Sequence, residues 1–106
     1  DVPFKCGECS DSVIVEDCPS ACAVSNVLTG VAIMGTKLKE IQKSHLKPYK
    51  NLYICLDRDA TTKAYDMAKD LRSSGFENVI VKPLEDDLKY YNTEQIREIF
   101  YGNRLW

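Results

Sequence analysis

The run Leu52-Tyr53-Ile54-Cys55-Leu56 is broken by no charged residue and is rich in β-forming side chains. A strand apolar on both faces cannot border water on either side, so it predicts the interior of a parallel sheet sandwiched between helices. The rest of the chain fits that demand. Shorter apolar runs, Val13 to Val15, Val31 to Met34 and Val79 to Val81, supply three more strands, and helical periodicity separates them. Cys18-Pro19-Ser20 opens a first helix in which Ala21, Val24 and Leu28 recur on one face and Gly30 supplies the stop. Thr36 caps a second, which sends Leu38, Ile41 and His45 or Leu46 inward and Lys37, Lys39, Lys43 and Lys47 outward, and ends at Pro48. The third, about Thr62 to Ser73, carries the clearest stripe (Ala64, Met67, Ala68, Leu71) and closes at Ser74-Gly75. Asn92 caps the last, with Gln95 in the reciprocal position and Ile96, Ile99 and Phe100 facing inward. Strict alternation with short connections predicts an α/β fold, a four-stranded parallel sheet flanked by helices.

A chain of 106 residues makes one domain, 1–106, with residues 1–11 as a flexible leading segment. It contains no apolar run near the roughly 20 residues of a membrane span, and its amino end does not resemble a signal peptide, which points to a cytoplasmic protein. The first residue is Asp1 rather than Met, so the chain reads as an excerpt of a longer protein. The formal charge is -2, from 14 basic and 16 acidic residues. A domain without a basic surplus does not neutralise phosphates alone, so contact with nucleic acid calls for bound metal or neighbouring domains. Five cysteines are an odd number. Cys55 in a buried strand and Cys22 on a helix read as reduced thiols. Cys6-Gly7-Glu8-Cys9 is half of a zinc site, and no second pair stands at the spacing that would complete it, so no zinc is expected.

Acids end three of the four apolar runs: Glu16, then Asp57 with Asp59, then Asp86-Asp87. Carboxylates gathered at one edge of a parallel sheet supply the oxygen ligands a hard divalent cation requires. In extended backbone Asp57 and Asp59, two residues apart, leave the same face and so serve one metal cluster.

With the pattern placed, Glu16, then Val31-Ala32-Ile33-Met34-Gly35-Thr36-Lys37-Leu38, then Leu56-Asp57-Arg58-Asp59-Ala60, resembles the Toprim domain, and more narrowly that of bacterial and phage DNA primases. The match spans about Val13 to Leu88. The resemblance implies a Rossmann-like fold of four parallel strands. It also implies Glu16, Asp57 and Asp59 as catalytic residues, and Glu16, Asp57, Asp59 and Asp87 (or Asp86) around Mg²⁺, with Mn²⁺ as a substitute. The activity implied is nucleotidyl transfer making RNA primers on single-stranded DNA from nucleoside triphosphates, with zinc-binding and helicase domains or proteins as partners and no membrane. Two departures stand out. Asp17 replaces a Gly usual after the first Glu, adding negative charge near the site. Ala60-Thr61-Thr62-Lys63 replaces Ala-Gly-Arg, keeping a cation at Lys63.

Other readings of the same residues compete. Lys37, Lys39, Lys43, Lys47 and Lys50 track a nucleic-acid backbone or simply solubilise a helix face. Lys63 steadies a phosphate or pairs with Asp66. His45 reads as a packed helix residue, and Tyr90, Tyr91 and Trp106 as packing against the sheet or a neighbouring domain. A Toprim nuclease, in which water rather than a 3′-hydroxyl attacks, is the nearest alternative activity. The Asp57-Arg58-Asp59-Ala60-Thr61 segment also fits a haloacid dehalogenase-like phosphatase, and a catalytically idle scaffold is the non-enzymatic alternative.

Overall fold

The computed structural model of the chain describes residues 3–33 and 40–102. In chain order these form β1 (Phe4–Cys6), β2 (Ser12–Val15), α1 (Cys18–Ala23), β3 (Thr29–Ala32), α2 (Glu40–Ser44), β4 (Leu52–Ile54), α3 (Thr61–Ser73), β5 (Val79–Val81) and α4 (Thr93–Tyr101). Short 3-10 turns occupy Arg58–Ala60 and Leu88–Tyr90. The strands pair in the order β1-β3-β2-β4-β5. β2 runs parallel to both β3 and β4, and β4 parallel to β5, so the wholly apolar run takes an interior place.

Side chains alternate across a pleated sheet, and here the alternation fills two cores. Ile14, Val31, Leu52 and Ile54 meet Ala64, Met67, Ala68 and Leu71 of α3 on one face. Val13, Val15, Ala32 and Tyr53 meet Ala21 and Val24 around α1, and Ile96 and Phe100 of α4, on the other. The last helix is capped as expected: the Asn92 side chain accepts from the Gln95 N–H at 2.8 Å, and the Gln95 side chain accepts from the Asn92 N–H at 2.9 Å. Among the described residues no helix is long and apolar enough to cross a membrane.

The sheet has five strands rather than four. The additional one, β1, pairs antiparallel with the outer edge of β3, Phe4 opposite Ala32 and Cys6 opposite Gly30. Three residues reading Phe-Lys-Cys are too few to show a period, and their partner strand lies far along the chain, so local pattern does not reveal them. β3 begins two residues before its expected start, and Gly30 lies inside it instead of ending a helix. A side chain at Gly30 would place its Cβ 2.2 Å from the Ala21 carbonyl oxygen, so glycine is what lets α1 lie directly on the strand.

The second helix also departs from expectation. Thr36, Lys37, Leu38 and Lys39 lie outside the described residues; the helix described is Glu40–Ser44. Ile41, expected inward, is 50% exposed, and Lys43, expected in solvent, is only 6% exposed. The Lys43 ammonium reaches α3, bonding Asp70 at 3.0 Å and the Ser74 hydroxyl at 3.1 Å, with Glu40 at 3.4 Å. That contact turns the aliphatic stem of Lys43 inward and rotates Ile41 out. Leu46 is buried, His45 half-buried in the turn beyond the helix, and Lys47 exposed.

Candidate functional site

The connection from β2 through α1 leads to β3 on one side, and the connection from β4 through α3 leads to β5 on the other. α1 and α3 pack on opposite faces. Where neighbouring parallel strands send their connections apart, a crevice opens at their carboxyl ends. Glu16 directly follows β2, and Asp57 follows the β4 segment, whose pairing continues through the Cys55 N–H to the Ile14 carbonyl at 2.9 Å. Both acids therefore stand on the rims of that crevice. Asp87 arrives from the loop after β5.

The three carboxylates touch. Asp57 hydrogen-bonds with Glu16 and with Asp87, and all three are half-buried. The Glu16 contact, then burial, raise the Asp57 pKa above the ordinary carboxylate value; the charges of Glu16 and Asp59 push the same way, while the Asp87 hydrogen bond lowers it. Asp87 is raised as well, chiefly by its bond to Asp57 and then by burial. Like charges held this close favour a shared proton. The contacts run pairwise through Asp57 rather than around a common centre, and among the described residues no group of three His, Cys, Asp or Glu side chains is arranged to hold a metal ion. Their chemistry nonetheless suits one, since three carboxylates are the hard oxygen donors that Mg²⁺ takes.

Asp59 and Asp57 do not share an extended strand. Asp57 stands just before the 3-10 turn Arg58–Ala60, its side chain making no capping bond, and within that turn Asp59 is exposed and is felt by Asp57 only through its charge. Of the Asp86-Asp87 pair, Asp87 joins the cluster while Asp86 is exposed. Lys63 lies in the first turn of α3, on the same edge of the sheet, exposed and paired with no described residue; the Asp66 pairing is not formed. Lys37 lies outside the described residues. Tyr91 packs into the α1–α4 core, Tyr90 is 71% exposed, and Trp106 lies outside the described residues.

Sequence reasoning overlooked Lys89. Its ammonium lies 3.3 Å from Asp17 and 3.6 Å from Asp87, and the Asp17 contact is the main cause that raises its pKa. Asp17 consequently adds no loose negative charge. It caps α1 by accepting the Ser20 N–H at 2.8 Å, and although burial opposes ionisation, that bond and Lys89 together hold its pKa below the ordinary value. A Lys two residues beyond the Asp86-Asp87 pair was the available signal.

A family model described as Toprim-like matches residues 16–91, more than half of the chain. No curated protein and no solved structure gives a match. The matched span opens on Glu16 and contains Asp57, Asp59 and Asp87, which places every acid of the crevice within it.

Proposed function

The chain belongs to the Toprim-like family, and on that premise we propose that it is the catalytic domain of a DNA primase, which makes RNA primers on single-stranded DNA by Mg²⁺-dependent nucleotidyl transfer. Toprim domains usually carry catalysis in nucleic-acid enzymes, and the observation supporting that role here is the contact of Glu16, Asp57 and Asp87 at one crevice. Glu16, Asp57, Asp59 and Asp87 would hold Mg²⁺, or Mn²⁺ in its place, and a bound ion there supplies positive charge to phosphoryl oxygens as they change partners. The chain's own groups do the rest. Glu16, beside Asp57, accepts the proton of an attacking 3′-hydroxyl. Lys89 pairs with Asp87 at 3.6 Å and holds that carboxylate in place. Lys63, exposed at the same edge, steadies a phosphate, and Lys37, one of the lysines between 37 and 50 in the sequence, follows the nucleic-acid backbone. A formal charge of -2 fits a domain that relies on zinc-binding and helicase partners to grip the template and presents nucleoside triphosphates to it.

Two measurements test this reading. Mg²⁺ titration by calorimetry is expected to show at least a 100-fold loss of affinity in the Asp57→Asn, Asp59→Asn double variant, with an unchanged circular dichroism spectrum; equal affinity in both proteins overturns the metal assignment. Incubation with single-stranded DNA and Mg²⁺ or Mn²⁺ then separates the chemistries. Weak, ribonucleotide-dependent synthesis supports the primase, whereas cleavage that needs no ribonucleotide selects the nuclease.

A further inference from the structure

A second group of reactive side chains lies away from the carboxylates. Cys6 ends the edge strand β1, Cys18 begins α1, and Cys22 sits one turn further along that helix. Residues directly opposite in paired strands put their side chains on the same face of the sheet. Cys6 is opposite Gly30, and a Gly30 side chain would run into Ala21, the neighbour of Cys22. Cys6 therefore leaves the sheet toward α1. The following residue, Gly7, has φ +107°, and a Cβ there would lie 3.0 Å from the carbonyl oxygen of Ser25, just past the helix. The residue after β1 thus lies close to the turn that follows α1, and β3, on which β1 pairs, lies directly against the helix. Cys6 and Cys22 are also near enough to act on each other's titration: Cys6 is the largest cause that raises the Cys22 pKa, and Cys18 adds to it.

We propose that Cys6 and Cys22 are an oxidisable pair that closes to a disulfide on exposure to peroxide, tying edge strand β1 to helix α1. In the first step a thiolate sulfur of the pair attacks one oxygen of hydrogen peroxide, the O–O bond breaks, and a sulfenic acid forms as water leaves. The second sulfur attacks that sulfenic sulfur, the S–S bond forms, and the hydroxyl departs as a second water. Two thiols and one peroxide give one disulfide and two waters, with both electrons passing to the peroxide. A Cys18–Cys22 pair and any pair with Cys55 are disfavoured. Cys18 and Cys22 stand on consecutive turns of one helix, where Cβ atoms are about 5–6 Å apart against the roughly 3.8 Å a disulfide needs. Cys55 is buried, and burial pushes its thiol up to about 12, which keeps it reduced. Cys22 is exposed and Cys6 half-buried, so an oxidant reaches them.

Closing the segment 6–22 raises thermal stability, because the unfolded chain loses freedom that the folded chain already lacks. The test is a non-reducing peptide map. Cleavage after glutamate puts Cys6 in fragment 1–8, Cys9 in 9–16, and Cys18 with Cys22 in 17–40. After one equivalent of hydrogen peroxide, fragments 1–8 and 17–40 are expected to be joined, two hydrogens lighter than their sum. The link persists in Cys18→Ser and is lost in Cys22→Ser and in Cys6→Ser, and the oxidised protein melts about 5 °C or more higher until reductant is added. A link through fragment 9–16, a link that survives Cys22→Ser, or cysteines that stay open to alkylation overturns the proposal. None of these readouts involves metal or nucleic acid, so failure here and failure of the primase reading are distinguishable.

Discussion

Two charged regions of this molecule solve opposite problems. At the α2–α3 seam one ammonium, Lys43, is given two carboxylates and a hydroxyl, and its pKa is raised, first by its bond to Asp70. At the lip of the sheet three carboxylates are given mainly each other, and the pKa values of Asp57 and Asp87 rise, first through the hydrogen bonds of Asp57 to Glu16 and of Asp87 to Asp57, then through burial, with charge repulsion adding to both. Lys89 relieves only the outer part of that lip, where it touches Asp17 and Asp87. The contrast teaches how to separate charge that serves the fold from charge that serves a ligand. A group whose partners are complete stabilises the structure, whereas groups pressed together without a counter-charge are kept at a cost in stability.

The largest expected effect comes from converting the first region into the second. Lys43→Glu places a third carboxylate beside Asp70 and Glu40 under a buried stem, and we predict a loss of about 2 kcal/mol in urea unfolding. Lys43→Met keeps the stem and removes only the charge. Because Asp70 and Glu40 can then face water, its cost is expected to stay within about 1 kcal/mol. Similar losses for the two variants would show that a third carboxylate at this seam carries no penalty beyond the lost ammonium.

A smaller effect is expected where the two kinds of charge overlap. Asp17→Ala removes a helix cap and one partner of Lys89, for a loss of about 1 kcal/mol. The folded-state pKa of Asp17 lies below the ordinary 3.8, so its contribution is present above that value and disappears as pH falls through the folded one. The gap between wild type and Asp17→Ala, followed by thermal melts, should therefore narrow on acidification by the part that depends on the charge. Asp17→Asn keeps an oxygen for the cap and isolates the Lys89 contact, so a gap as wide in acid as at neutral pH would assign the whole effect to the neutral cap and packing.

Much of this arrangement was legible in the sequence, and what escaped is physically consistent. The buried stripe of α3 follows directly from periodicity, β5 from an uninterrupted apolar run, and the Asn92 cap from side-chain chemistry, because these are local properties. β1 and the inward turn of Lys43 depend on partners elsewhere in the chain, β3 and Asp70, which no local pattern encodes. Thr29, which lies before the expected strand, starts β3 because its hydroxyl accepts from the Cys9 N–H at 2.8 Å and donates to the Cys9 carbonyl at 3.0 Å, which lets a polar side chain begin a buried strand. At the site, the approach of Glu16, Asp57 and Asp87 follows from acids placed at strand ends. The exposed place of Asp59 does not, because β4 ends at Ile54 and the chain has already entered a 3-10 turn when it reaches that residue.

The smallest expected effect is the sharpest test of the comparison, because its sign depends on what is bound. In Asp57→Asn the amide replaces a repelling charge with a group that donates hydrogen bonds to both Glu16 and Asp87. Without divalent cation the variant should therefore be more stable than wild type, by about 0.5 kcal/mol. Saturating Mg²⁺ stabilises only a protein that binds it, by about 2.7 kcal/mol when the free ion is 100 times its dissociation constant, so wild type should then overtake the variant. Paired thermal melts with chelator and with Mg²⁺ read both halves. If the variant is not the more stable protein in chelator, the lip carries no strain of its own. If its deficit fails to appear in Mg²⁺, the strain is there but does not serve a cation.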